Sequence, residues 1–440
     1  MCKDKARISM IALFLGIATT VISPACLANS DLSAEQSLGK DLYFDENLSL
    51  NRNQACASCH SPGTAFVDPR NTALNQAPPP LHTPVSEGSV SGLFGTRNAP
   101  SAAYALYSPF FHWDGNEGLY VGGQFWDGRA NSLSEQAAGP FLNPVEMAMP
   151  NKWAVIDRMR TSRYPDYVSQ FREIYGIDLS KIPAYDWGNF WNGGRHSNRN
   201  RKQPPGVLEV YDRMTRAIGE FEKTNIFTTF SSKFDYEQAG MVTLSPLEQE
   251  GMALFNGKGQ CFLCHISTST IASDGVTPLP AMFTDFTYDN LGVPANFYQP
   301  GSPLPPDLGL GGRPDIAAND PMGNQLGKFK VMTLRNIANT PPYGHNGVFQ
   351  TLKEIVHFYN TRDVLPACDP SLGNKDPGFG TNCWPEPEVA QNVNHDELGN
   401  LGLSDSEEDA IVAFMETLSD GWGAENGYAP LPAPPLPPTP

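Results

Sequence analysis

Two five-residue stretches stand out for the chemistry they can do: Cys56-Ala57-Ser58-Cys59-His60 and Cys261-Phe262-Leu263-Cys264-His265. Two thiols three residues apart can add across the two vinyl groups of a haem. The histidine that follows is then held beneath the iron as its proximal ligand. Cys-x-x-Cys-His is the attachment pattern of c-type haem. A lone Cys-x-x-Cys is also half of a zinc site or a thiol–disulfide couple. Here the whole pattern recurs, histidine included, which favours two covalent haem c groups. Cys368 and Cys383 flank a loop rich in Pro, Gly and Asp, and in an oxidising compartment a disulfide is their natural reading. Closing a loop of that size is worth about 3 kcal/mol in the chain-entropy model.

The elements that must position the motifs are themselves repeated. Ser33-Ala34-Glu35-Gln36 is a capping box, and an amphipathic segment follows it to the first motif. Ser245-Pro246-Leu247-Glu248 repeats the device ahead of the second, with Pro at the first helical position. Two cytochrome c-like domains are the simplest account of this repeat. A third capping box, Ser404 to Glu407, opens a helix to about Leu418, with Gly421 as its stop. In cytochrome c domains such a closing helix packs against the first one. Lys152–Gly176 and Val207–Lys223 are predicted helical from apolar residues at three-to-four spacing. With 40 Gly and 40 Pro in 440 residues, the expected fold is mainly α but loop-rich. The expected layout is a signal peptide (1–28), domains at 29–225 and 226–425, and a proline-rich tail (426–440).

Charge and the N-terminus bound the setting. Lys3, Lys5 and Arg7 precede an apolar run to about Ile22, closed by Ser23-Pro24-Ala25-Cys26-Leu27-Ala28. This reads as a secretory signal cleaved after Ala28, which implies a periplasmic location and no membrane span in the mature chain. A membrane anchor is disfavoured by the short run, and a lipoprotein on Cys26 by Ser23. The formal charge of −17 argues against nucleic acid or an anionic membrane as partner. The basic loop Arg195, His196, Arg199, Arg201 and Lys202 reads as solvated surface, with a docking patch for an acidic partner as the alternative.

Two further stretches carry a family resemblance. Gln124-Phe125-Trp126-Asp127-Gly128-Arg129-Ala130 leads through Glu135-Gln136 and Gly139-Pro140 to Asn143-Pro144-Val145-Glu146-Met147. Leu334-Arg335-Asn336-Ile337 leads to Thr340-Pro341-Pro342-Tyr343-Gly344-His345-Asn346-Gly347. With the two haem motifs in this order, the mature chain resembles the bacterial di-haem cytochrome c peroxidase/MauG family. The resemblance implies that the N-terminal haem reduces peroxide while the C-terminal haem receives electrons. It puts Trp126 between the haems, as relay or partner in holding the oxidising equivalent. Gln136 and Glu146 match distal groups, and moving a proton between peroxide oxygens explains why a carboxylate stands there. Asn98, with the carbonyls of Thr340 and Pro342, matches a calcium site between the haems, and hard oxygen ligands suit that ion. His345 matches a histidine near the C-terminal haem. Homodimers occur in the family.

Two departures sharpen the expectation. Family peroxidases that need prior reduction carry a loop histidine over the first iron. Counted back from Arg97, that place holds Val90, and His82 is the nearest substitute. The first haem is therefore expected to be open, five-coordinate or water-ligated. The peroxidases place a methionine where this chain has Tyr359, whereas MauG-like members have an axial tyrosine there. A phenolate lowers the iron potential relative to a thioether. The alternative is that Tyr359 merely packs and that His357, Met322 or Met332 ligates. Ahead of Trp126, an insertion from Ser101 to Gly123 includes Phe110-Phe111-His112-Trp113-Asp114 and could line an approach to the first haem or serve packing.

The leading expectation is a periplasmic di-haem peroxidase. It would reduce hydrogen peroxide with electrons taken from a small cytochrome c or cupredoxin through the second haem. A MauG-like oxidase that modifies a residue, tryptophan first, on a partner protein is the alternative. A non-enzymatic electron carrier ranks last, because it leaves Gln136 and Glu146 without a task.

Overall fold

The helix Ala34–Phe44 (α1) opens on the expected capping box: Gln36 N–H donates to the Ser33 hydroxyl, and Ser33 N–H to the Gln36 side chain. It buries Leu38, Leu42 and Tyr43 and hands the chain to the first cysteine motif. The computed structural model describes residues 32–72, 83–191, 202–272 and 275–437. The N-terminal segment, His82, and Arg195, His196, Arg199 and Arg201 lie outside them.

Helix α2 (Val207–Glu222) lies across α1. Its buried Val210, Met214, Ala217, Ile218 and Phe221 recur at helical spacing, so one continuous stripe faces inward. The crossing is close: a Cβ added at Gly39 would collide with the Ala217 carbonyl oxygen. The same construction recurs in the second half. Helix α3 (Pro246–Phe255) carries the Ser245/Glu248 capping box and leads to the second motif. After α4 (Leu352–Thr361) comes α5 (Asp405–Glu416), with its Ser404/Glu407 box. A Cβ at Gly251 of α3 would strike the Ala410 carbonyl of α5. The expected closing helix is thus α5 in the second half, and α2 does the same for the first.

Each crossed pair seeds a core. Leu38, Phe141, Trp153, Tyr211, Phe221 and Phe227 belong to the first, and Phe234, Phe255, Phe283, Phe349 and Phe414 to the second. Buried Arg335 ties them together. Its guanidinium donates to Asp235 at 3.0 and 3.1 Å and to Ala281 O at 2.9 Å, while lying 4.4 Å from the Phe230 ring centre. Arg97 makes a second tie, to Asp127 at 2.7 Å and to Asp307 at 2.6 Å.

The rest is loop and small ladders. Three two-stranded antiparallel sheets occur among the described residues, one of them the hairpin His112–Asp114 with Leu119–Val121. The fold is therefore helical with minor sheet. One expected element is divided. Lys152–Gly176 forms two helices, Lys152–Thr161 and Tyr167–Tyr175. Pro165 has no N–H to continue the ladder, and Asp166 caps the second helix by accepting from Ser169 N–H.

Candidate active site

Behind each Cys-x-x-Cys-His motif lies a large cleft. The first encloses about 1250 Å³ and the second about 1850 Å³ of empty space, both counted out to solvent. In the first, Cys56, Cys59 and His60 face Gln136 and Glu146. In the second, Cys261, Cys264 and His265 share the walls with Tyr359 and His345. Residues 98–101 and Trp126 line both clefts, so the indole stands in the partition between them. Its Nε1 donates to Asn98 O at 2.9 Å, and its backbone oxygen accepts from Lys330 N–H at 2.9 Å. Both ends of Trp126 are fixed.

The two histidines are prepared alike. His60 Nδ1 lies 3.2 Å from Phe66 O and His265 Nδ1 lies 2.8 Å from Phe283 O. A carbonyl can only accept, so Nδ1 carries the proton and Nε2 keeps the lone pair that a metal needs. Burial lowers both imidazoles, His265 to about 4, and keeps them neutral. The four motif cysteines are free thiols. Among the described residues neither pair belongs to a set of four Cys or His donors: Cys264 neighbours only Asp289 and Glu397. A structural zinc site wants four such ligands. A wide apolar cleft with two thiols at its edge and a lone imidazole nitrogen fits a thioether-linked haem better.

Glu146 comes from the turn after Pro140. Its Oε1 accepts from Asn143 Nδ2 at 2.7 Å, and burial raises its pKa against the opposing pull of Arg129. Gln136 sits on the short helix Leu133–Ala137, which Ser132 caps. An amide that can hold a small polar molecule thus shares the cleft with a carboxyl whose hold on a proton is strengthened by burial.

Comparison with known proteins shows the family. A family profile described as "Di-haem cytochrome c peroxidase" covers residues 33–243. The methylamine utilization protein MauG of Paracoccus denitrificans is 38% identical over 392 residues, which is 87% of this chain and 88% of that one. The chain belongs to the di-haem cytochrome c peroxidase family.

It is an oxidoreductase of that family. Cytochrome c551 peroxidase of Nitrosomonas europaea is 29% identical over 81% of this chain and 84% of that one. Among solved structures, the diheme peroxidase BthA of Burkholderia thailandensis superposes with a TM-score of 0.66 at 28% identity, over 95% and 93% of the two chains. Against this family background the other expected residues fall as follows. Asn98, Thr340 and Pro342 all line the second cleft, and Asn98 Nδ2 donates to Pro84 O at 2.9 Å. His345 is buried, stacks on Phe329 at 3.7 Å and pairs with Glu388 at 3.0 Å.

The alternatives to Tyr359 separate. Met322 is 77% exposed and His357 bonds Glu408 at 2.9 Å; neither lines the second cleft, whereas Met332 does. Val90 lines neither cleft. The aromatic part of the insertion serves packing, whereas Ser101, Ala102 and Ala105 at its start line the first cleft: Phe111 stacks on Tyr120 at 5.1 Å and under Arg313 at 4.1 Å, and none of residues 110–114 lines either cleft. Cys368 and Cys383 are joined, with Cα atoms 4.9 Å apart.

Sequence reasoning missed two cleft residues. Glu222 lines the first cleft and Lys330 the second. For Glu222 the signal was a carboxylate on the apolar stripe of a predicted helix. For Lys330 there was none, since only the folded chain buries it.

Proposed function

We propose that this protein is a periplasmic peroxidase reducing hydrogen peroxide in the first cleft with electrons that enter through the second. The observation that carries the reading is Trp126, shared by two Cys-x-x-Cys-His clefts of which only the first holds the Gln136/Glu146 pair. One haem c would be attached through Cys56 and Cys59 with His60 as ligand. The other would be attached through Cys261 and Cys264 with His265. When bound, these groups would supply the redox chemistry of peroxide reduction. The chain's own residues do the rest. Gln136 positions peroxide; Glu146, steadied by Asn143, carries a proton from the inner to the outer oxygen. Trp126 relays electrons. Asn98 and the carbonyls of Thr340 and Pro342 would hold calcium beside it, and hard oxygen donors suit that ion.

The layout proposed with this is a signal to residue 28, a peroxide-reducing domain at 29–225 and an electron-receiving domain at 226–425. The donor would be a reduced cytochrome c or cupredoxin. Two haems per chain by pyridine haemochrome, and peroxide turnover with reduced cytochrome c without prior reduction, are the expected results. Two bound haems with neither turnover nor retained oxidising equivalents would leave only the electron carrier.

One observation favours a second reading. Tyr359 faces the second cleft, and a phenolate there would favour oxidised iron, as suits a MauG-like enzyme acting on a partner protein. Tyr359→Phe should change the spectrum of the second haem, whereas Met332→Leu should not. The reverse result would make Met332 the ligand. Peroxide-treated protein that keeps both oxidising equivalents but turns over poorly would favour this reading over the first.

A further inference from the structure

The two crossed helix pairs can be superposed residue by residue. Gly39 faces Ala217 and Phe221 just as Gly251 faces Ala410 and Phe414. In that register Ile218 corresponds to Ile411, and both line their clefts. One turn further along, Glu222 in the first cleft corresponds to Met415 in the second. The same structural position therefore carries a carboxyl beside one motif and an apolar thioether beside the other.

Glu222 is only 7% exposed, and its Oε2 has no hydrogen-bond partner among the described residues. A buried carboxyl without a partner is costly to keep, since charging it in a low-dielectric cleft is opposed at every step. The cations that line this cleft, Arg97 and Arg129, are paired with Asp127 and Asp307, and neither offsets the burial that shifts Glu222. From α1 comes the Tyr43 phenol, protonated at neutral pH, and from the attachment motif Cys56, which carries no charge either as a thiol or as the thioether of the haem reading. Glu146, beyond the Cys56 thiol in the same cleft, is answered by Arg129. On the other packed helices, Glu135 accepts from Asn131 N–H, Lys152 lies over Tyr211, Asp157 pairs with Arg160 and Arg158 lies over Trp187. Burial alone pushes Glu222 up to about 8.

We infer that Glu222 couples protons to electrons in the first cleft: its carboxylate takes up one proton when the cleft gains one electron and releases it when that electron leaves. Resting on the haem reading above, this makes Glu222 a positioning residue, acting through the redox centre and not on peroxide. The balance is one electron from the donor and one proton from solvent, so the net charge of the cleft does not change. By linkage, a group that holds its proton more tightly in the reduced state must raise the reduction potential as pH falls. The second cleft, with Met415 in that place, lacks this device. The two centres then respond differently to pH although their attachment motifs are the same.

The test is a redox titration of the two-haem protein across about two pH units either side of 8, reading each haem by its own absorbance. In the wild type the first haem's redox equilibrium should shift tenfold per pH unit over part of that range, about 59 mV. In Glu222→Gln this slope should vanish while the second haem is unchanged. An unaltered slope in Glu222→Gln overturns the inference. Should that variant fail to retain haem, redox-difference infrared spectra of the wild type decide. A buried protonated carboxyl band that grows on reduction and shifts in heavy water supports the coupling, and its absence overturns it. A protein with only one haem per chain would instead sink the reading on which the inference rests.

Discussion

Glu146 is held by a single amide, Asn143, and lifted above the ordinary carboxylate range by burial. Glu146→Gln keeps that size and hydrogen-bonding reach but cannot move a proton. Peroxide turnover should fall by about 10²- to 10⁴-fold, with haem content unchanged; steady-state kinetics at matched haem concentration would show it. Turnover within a few-fold of the wild type would assign the proton transfer elsewhere. Lys330 poses the opposite problem. Its ammonium donates to the Ser108 hydroxyl and Gly123 O, pairs with no carboxylate among the described residues, and is lowered by burial to about 7. In the unfolded chain a lysine titrates near 10.4. Between these values the unfolded chain binds more protons, so stability should rise with pH, by up to about 1.4 kcal/mol per unit. Below about 7 the penalty is fully present. Lys330→Met should flatten that dependence in denaturant titrations at pH 7 to about 10.

At the scale of elements, the crossings of α1 with α2 and α3 with α5 depend on glycine for closeness, not for backbone freedom. Alanine is the better helix former by up to about 1 kcal/mol. At Gly39 or Gly251, however, its methyl would run into the backbone of the partner helix. Gly39→Ala and Gly251→Ala should therefore destabilise by about 1–3 kcal/mol, as overpacked interiors do. Chemical denaturation would register this, and a gain in stability would mean that the helices can separate freely. The capping boxes that start α1, α3 and α5 were all legible, because Ser followed three residues later by Gln or Glu is a local signal. The break at Pro165 was equally local but was passed over, since apolar spacing continued on both sides of it.

For the molecule as a whole, the tie between the cores should be strong. Arg335→Ala strips a buried cation from Asp235, whose side chain is 9% exposed, and from its neighbour Asp420, which binds Tyr104 and Asn336. Leaving a buried charge unpaired costs about 3–5 kcal/mol. Thermal unfolding should shift accordingly, and loss of the electron relay proposed for Trp126 should accompany it only if the two halves move apart.

The sequence by itself pointed to the two Cys-x-x-Cys-His motifs, the repeated capped helices, the family and the Gln136/Glu146 pair, because those signals are short-range or lie in long ordered motifs. His60, Gln136, Glu146 and Tyr359 were named from such stretches, and the fold brings the first three to one cleft and the last to the other. Tertiary structure alone decided three things. It chose α2, more than 150 residues after α1, as the partner that completes the first core. It turned the aromatic stretch Phe110–Asp114 of the insertion toward a packed hairpin and away from the cleft walls. And it placed Trp126 in a shared partition, with Glu222 on one side only. Each depends on contacts between segments far apart in the chain, whose energies come from burial and so cannot be read until the surfaces that bury one another are known.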